Sequence, residues 1–199
     1  MRLTDKLSTT FTISVDNRNE PTEITLENVN MAFDNILSLF DLLEDESVTD
    51  FEKAITGFDM LIGVDERNDL LKLVDDGILE ARTFWQIFTG LINEIFEEDD
   101  ENDGYFDLAG NPMPKPEHKK TFDVVQDAPF IYASFIQDYG IDLFEQQGKL
   151  DYRKFKALLN SLSDKTYLST IINIRTMDVP KGKEGSKVRE AKAMFRLRE

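Results

Sequence analysis

Cysteine is absent from the 199-residue sequence. That removes disulfides, thiolate metal sites and Cys–His pairs, and it fits a reducing cytoplasm. Histidine is nearly absent too: His118 stands alone in a proline-rich stretch. With no second histidine, zinc sites of the usual kind are not expected, and a Ser–His pair would rest on one residue in a linker. Neither G-x-x-x-x-G-K-[ST] nor G-x-G-x-x-G occurs, and "KGKEGS" follows no clear strand. No run of eighteen apolar residues exists, and "MRLTDKLSTT" lacks a signal-peptide core, so a soluble cytoplasmic chain is expected. Carboxylates are plentiful but lie in runs (Asp75–Asp76, Glu97 to Glu101) that read as solvated faces, not acid–base dyads. Ser134 has no visible base and reads as a small packing residue. No enzyme, no cofactor and no metal site is expected.

Positive charge is scarce in one half only. Residues 1–110 carry 7 Lys+Arg against 27 Asp+Glu, a balance of −20, whereas residues 111–199 carry 16 against 12, a balance of +4. The net −16 would repel phosphates and argues against nucleic acid as a partner. The asymmetry points to two units whose fields attract each other or oppositely charged partners.

What is present is apolar periodicity. In "TTFTISVD", Phe11, Ile13 and Val15 alternate with Thr10, Thr12 and Ser14, a half-buried strand. "NRNEP" is turn chemistry and "TEIT" a short return strand, giving a hairpin that must lie on something or pair with another chain. "LENVNMAFDNILSLFDLL" places Val29, Phe33, Ile36, Leu37 and Phe40 on one helical stripe. Thr49 and Glu52 form a capping box that opens a helix burying Phe51, Ile55, Phe58 and Ile62. "RNDLLKLV" is a shorter helix broken near "DDG". "ILEARTFWQIFTGLINEIFEE" is apolar almost all round, so it is a core helix or one that faces another subunit.

The connector "EEDDENDGYFDLAGNPMPKPEHKK" places Asp99, Glu101, Asp103, Gly104 and Asp107 at the early positions of a calcium loop. It has Gly110 where the closing Glu is needed, and prolines where the exiting helix should start. It reads as a mobile acidic linker. Beyond it, Thr121 or Asp123 is expected to cap a helix with Tyr132, Ile136 and Tyr139 on one stripe and Ile131 and Phe135 beside it, ended by Gly140. Asp151 caps a helix burying Tyr152, Phe155, Leu158, Leu159 and Leu162, and "SDKTYLSTIINIRTM" turns Leu168, Ile171, Ile172 and Ile174 inward. From Lys181 to Arg198 the tail holds 7 Lys+Arg against 2 acids. Its helix, from Ser186, is expected to be exposed, with Val188, Ala191, Phe195 and Met194 as its apolar face. Three readings stay open for it: a solvated helix, docking onto an acidic surface, or RNA binding.

The expected fold class is mainly α: a short N-terminal β-hairpin and two helical units joined by an acidic, proline-rich linker. The bounds are 1–98, 99–120, 121–180 and a basic tail helix at 181–199.

"FIYASFIQDYGIDL", "YRKFKALLNSLSDKT", "IINIR" and "KGKE" together resemble the gp-fifteen family of long-tailed phages and prophages of Gram-positive bacteria. The matching residues are Tyr132, Ala133, Ser134, Phe135, Tyr139, Gly140, Ile141 and Asp142, then Phe155, Leu158 and Leu162, then Ile171, Ile174 and Arg175. Tyr152 stands where tryptophan is frequent, and Ser161 where glycine is. The resemblance implies a non-enzymatic tail-assembly chaperone that binds and solubilises the tape-measure protein in the host bacterial cytoplasm and is missing from the mature virion. It implies as further partners a longer frameshifted form of the chain and the tail-tube protein. No nucleic acid or membrane partner is expected. The alternative is a small structural or adaptor protein retained in the tail or neck. Repeated copies along one client suggest weak homo-oligomerisation through the hairpin edge. Phe84, Trp85, Phe88, Tyr132 and Phe135 are the candidates for a client-binding or self-association surface, and they are equally core candidates.

Overall fold

A computed structural model describes residues 6–96 and 121–198. The acidic loop at 99–110, His118 and the rest of the linker at 99–120 lie outside the described residues. The chain divides into two compact units, Met1–Asp103 and Gly104–Glu199. Among the described residues the protein is mainly α-helical, with one two-stranded antiparallel sheet. No described helix is long and apolar enough to cross a membrane.

In the first unit, β1 (Phe11–Asn17) pairs with β2 (Glu20–Leu26) from Phe11↔Leu26 to Asn17↔Glu20. Arg18 and Asn19 form the two-residue turn, both at positive φ (57° and 62°), the conformation that matches strand twist in tight hairpins. The return strand is longer than "TEIT" and contains Pro21, which an edge strand tolerates. The hairpin lies on α4 (Ala81–Phe96). Ile13 and Val15 are buried, and Thr83 Oγ1 donates to the Asp16 carbonyl. At the turn, Arg18 donates to the Gly77 carbonyl. Asn17 Nδ2 donates to the Ile78 carbonyl at 3.0 Å, and Asn17 Oδ1 accepts from the Glu80 N–H at 3.2 Å.

Three further helices are described in this unit: α1 (Phe33–Glu44), α2 (Asp50–Leu61) and α3 (Val64–Asp75). Helix α1 starts later than the apolar spacing implied. Val29 and Met31 are buried, but in an approach segment in which Asn28 has φ 55° and the Asn30 side chain accepts from the Ala32 N–H. The α1 stripe is Phe33, Ile36 and Leu39, with Leu37 and Phe40 only partly buried.

The largest correction falls on α2. Its capping box is formed as expected, but Phe51 is 64% exposed and Ile55 only partly buried. The buried face is Ala54, Gly57, Phe58 and Leu61, with Ile62 buried just past the helix end. The reason is Gly57: a Cβ there would sit 2.5 Å from the Phe88 ring, so α2 turns its smallest residue toward α4 and carries Phe51 outward. Phe58 then meets Phe84 and Phe88 edge to face, at centroid distances of 4.9 and 5.2 Å.

In the second unit, α5 (Ala128–Tyr139), α6 (Tyr152–Asn160), α7 (Tyr167–Thr176) and α8 (Lys183–Met194) follow in order. Helix α5 does not start at Thr121 or Asp123. Asp127 is its N-cap, whereas Asp123 accepts from the N–H groups of Val125 and Gln126 in a preceding turn. Gly140 ends α5 at φ 65°, the left-handed conformation that a glycine cap supplies cheaply. The buried face of α5 is Ile131, Ser134 and Phe135, while Ile136 is largely exposed. Asp151 caps α6 as expected, accepting from the Arg153 N–H at 2.9 Å. Only Phe155 of α6 is fully buried; Tyr152, Leu158, Leu159 and Leu162 are partly so. Leu168 and Ile171 are the buried pair of α7, and Ile172 and Ile174 are partly covered. These shortfalls share one cause: short helices at the rim of a small core bury one stripe each, and the flanking apolar positions lie at its edge.

Candidate functional site

The five surface candidates separate cleanly. Phe84, Phe88 and Phe135 are core residues, each at most 3% exposed, so none reaches a partner while its unit is folded. Trp85 remains 38% exposed, its ring 5.7 Å from Phe88. Tyr132 is partly buried. Its hydroxyl donates to Asp142 Oδ2 at 3.3 Å, and its ring lies 5.1 Å from the exposed ring of Phe144. Burial, followed by the negative charge of Asp142, pushes the Tyr132 hydroxyl above its ordinary pKa, so it stays a proton donor across the physiological range. Both units thus present aromatic surface.

The recognisable block of the second unit is mostly a set of ties between helices. Phe135 stacks on Phe155 at 5.4 Å, 16° from parallel, and meets Tyr139 edge-on at 5.6 Å. The Tyr139 hydroxyl donates to the Leu158 carbonyl at 2.9 Å, satisfying an acceptor in the last turn of α6. Burial is also the main reason its pKa is raised. Ser134 Oγ donates to the Phe130 carbonyl at 2.7 Å and accepts from the Leu168 N–H at 3.1 Å, filling one of the open donors at the start of α7. This is more than a small packing residue does. Gly140 ends the helix, Ala133 and Ile141 flank the core partly buried, and Asp142 also accepts from the Phe144 N–H at 2.9 Å.

Arg175 is the strongest tie. Its Nη1 donates to Asp127 Oδ2 at 2.6 Å and its Nη2 to Asp127 Oδ1 at 2.8 Å, a two-point pair. The Asp127 side chain is 0% exposed and that of Arg175 only 9%. Arg175 Nε also donates to the Phe195 carbonyl at 2.6 Å, and Nη1 to the Thr121 carbonyl at 3.1 Å. One guanidinium therefore joins the start of α5, the end of α7, the entering chain and the tail.

The tail is correspondingly not a free helix. Phe195 meets Phe130 edge-on at 6.1 Å. Gln126 Nε2 donates to the Arg196 carbonyl at 2.9 Å, and Gln126 Oε1 accepts from the Arg198 N–H at 2.8 Å. Asp127 and Gln126 were not singled out from the sequence, although "DAP" carries the signal: an aspartate before a helix with proline in its first turn.

Among the described residues, no group of three or more His, Asp or Glu side chains converges to hold a metal ion. The geometry binds helices to one another and leaves aromatic and charged surface outside.

Neither curated proteins nor solved structures give a match to this chain. A family model described as Bacteriophage Gp15 protein matches residues 21–198, from the second strand of the hairpin to the penultimate residue. The chain belongs to the Bacteriophage Gp15 protein family, a family of phage structural or assembly proteins.

Proposed function

We propose that this protein is a tail-assembly chaperone, one that binds the tape-measure protein and keeps it soluble until tail-tube subunits polymerise around it. The observation that carries this reading is membership of the phage family over nearly the whole chain. Two physical features support it. A long helical client with apolar stripes needs a binder that offers aromatic surface between helices. Trp85 in one unit, beside the buried ring of Phe88, and the Tyr132–Phe144 pair in the other are such surfaces. A net charge of −16 keeps a sheathed complex dispersed through mutual repulsion. On this reading the protein acts in the cytoplasm of a Gram-positive host, meets the tube protein through a longer frameshifted form of itself, and leaves before the virion is complete.

Co-expression with the neighbouring tape-measure gene tests the proposal. The expected result is a soluble tape-measure product that co-purifies with this chain, and loss of that solubility with Trp85→Ser combined with Phe144→Ser. A tape-measure protein equally insoluble with and without the chain would sink it. Mass spectrometry of purified virions separates the alternative, since a structural or adaptor protein of the tail or neck would be found there.

A further inference from the structure

Residues 111–199 carry 16 Lys+Arg against 12 Asp+Glu, yet an exposed aromatic ring of the second unit stands among carboxylates. Phe144, 69% exposed, lies in the turn between α5 and α6. Gly140 (φ 65°) and Gly148 (φ 68°) bracket that turn, and the buried Leu143 anchors it. Asp142 fixes the ring. One of its carboxylate oxygens accepts from the Phe144 N–H at 2.9 Å and the other from the Tyr132 hydroxyl at 3.3 Å. Phe144 thus rests against Tyr132 at a centroid distance of 5.1 Å and leaves most of its own surface open. Glu145 comes next, exposed and without an ion pair among the described residues. After burial and Asp142, its negative charge is a further reason that the Tyr132 pKa is raised, so the carboxylate and the ring pair share one region. Lys149, four residues on, donates its ammonium to the Glu145 carbonyl at 2.9 Å. Pro129 and Ile136, one turn to either side of Tyr132 on α5, are exposed, and residues 128–137 include no charged side chain.

We propose that this surface is a cation-reading site: an arginine side chain of a helical client lies over the open face of Phe144, with Asp142 and Glu145 meeting its charge, while apolar side chains of the same client helix rest on Tyr132, Ile136 and Pro129. The inference rests on the chaperone reading, whose client surface it specifies. Charge complementarity selects the occupant. An aromatic face attracts a cation, and two carboxylates beside it add to that attraction and repel an anion. The planar guanidinium suits the site better than an ammonium, because it stacks on a ring and donates to a carboxylate at the same time. Covering Tyr132 uses only one side of Phe144, so packing within the unit gives no reason for the open side or for the carboxylates around it. The turn is held at both ends by glycine and within by the Asp142 hydrogen bonds, so the site is formed before the client arrives. The client segment that this site prefers is therefore an amphipathic helix with arginine flanking its apolar stripe.

Calorimetric titration of the full chain with two synthetic peptides tests the inference. Both are amphipathic and about 18 residues long, enough to form a helix, with one leucine stripe. One carries arginine beside the stripe and the other glutamine at the same positions. The arginine peptide is expected to bind about five- to tenfold more tightly, as one ring contact and one rim ion pair would give. Raising salt from about 50 to about 500 mM, which shortens the screening length to a few ångströms, should remove most of that difference. Glu145→Gln and Phe144→Leu should each shrink the preference for arginine while leaving the affinity for the glutamine peptide within about twofold, since leucine keeps the apolar contact. Both positions are exposed, and an unchanged circular dichroism melt would certify that the variants fold. No binding of the arginine peptide, equal affinity for the two peptides, or a preference that survives both substitutions (which would place it elsewhere on this acidic chain) would each overturn the proposal. Co-expression with the tape-measure gene keeps the two readings apart. A chain that solubilises the client but shows no arginine preference sinks this inference alone, and one that prefers arginine but solubilises nothing sinks the chaperone reading alone.

Discussion

Arg175 and Asp127 concentrate more of the second unit's order than any other pair of side chains. A buried, two-point ion pair contributes little net stability relative to a well-packed apolar pair, because both charges lose water. Breaking one side is another matter, since it strands a charge in the core. Arg175→Leu is therefore expected to destabilise the second unit by about 3–5 kcal/mol, with Asp127→Leu added to it recovering part of the loss. The lone tryptophan, Trp85, lies in the first unit and makes the measurement selective. Circular dichroism should record the earlier melting while the Trp85 fluorescence transition stays put, and a joint shift of both would refute the assignment. In the first unit the telling residues are glycines. Gly57 faces the Phe88 ring and Gly90 faces the Ile13 side chain, each too close for a Cβ. Alanine normally improves a helix interior by up to about 1 kcal/mol. Here Gly57→Ala and Gly90→Ala should each cost about 1–3 kcal/mol in denaturant titrations followed by Trp85, because overpacking outweighs propensity. Stabilisation by either substitution would show that the neighbouring side chain yields more easily than its packing implies.

At the scale of elements, termini matter most. The α2 capping box is closed on both sides: Thr49 Oγ1 accepts from the Glu52 N–H at 3.4 Å, and Glu52 Oε2 accepts from the Thr49 N–H at 3.0 Å and from its hydroxyl at 2.7 Å. The Thr49 hydroxyl, then its backbone N–H, hold the Glu52 carboxyl below its ordinary pKa. A depressed folded-state value means that the contribution is present above the unfolded-state pKa and fades as pH falls through the folded one. Acidification should therefore fray the start of α2. A carboxyl NMR titration of Thr49→Ala should move the Glu52 midpoint upward, and the substitution should cost about 1 kcal/mol. An unmoved midpoint would mean that the box is not populated in solution. Asp45 behaves alike, lowered by the Ser47 hydroxyl and N–H, so the α1–α2 turn and the α2 cap weaken together in acid.

For the whole molecule, the governing fact is uneven charge. Residues 1–110 carry −20; among the described residues Asp59 meets Arg67 at 2.8 Å, while Asp69–Lys72 and Glu80–Arg82 are solvent-exposed pairs that contribute little. Self-repulsion of this kind works against the compact state, and salt screens it. Raising salt from about 20 to about 300 mM in dilute solution should raise the melting midpoint of the Trp85-bearing unit by a few degrees, with a smaller change for the second unit. A midpoint that falls with salt would show that the paired charges outweigh the repelling ones.

Features that depend on near neighbours in the chain are legible in the sequence by itself. The hairpin, the Thr49–Glu52 box, the Asp151 cap, the Gly140 stop and the long apolar α4 all rest on hydrogen bonds or side-chain spacing within a few residues, so the local sequence determines them. The mainly α class and the phage-family pattern around Tyr132, Phe135 and Arg175 follow from the same short-range signals. What tertiary structure decided is which face of each helix turns inward. Spacing offered Phe51, Ile55 and Phe58 as one stripe, but the close approach of Phe88 to Gly57 rotated α2 and left Phe51 in solvent. It also decided that Arg175 finds Asp127, forty-eight positions earlier in the chain, and that the basic tail is tied down at Phe195, Arg196 and Arg198. Those outcomes depend on atoms brought together by packing, whose positions no local pattern encodes.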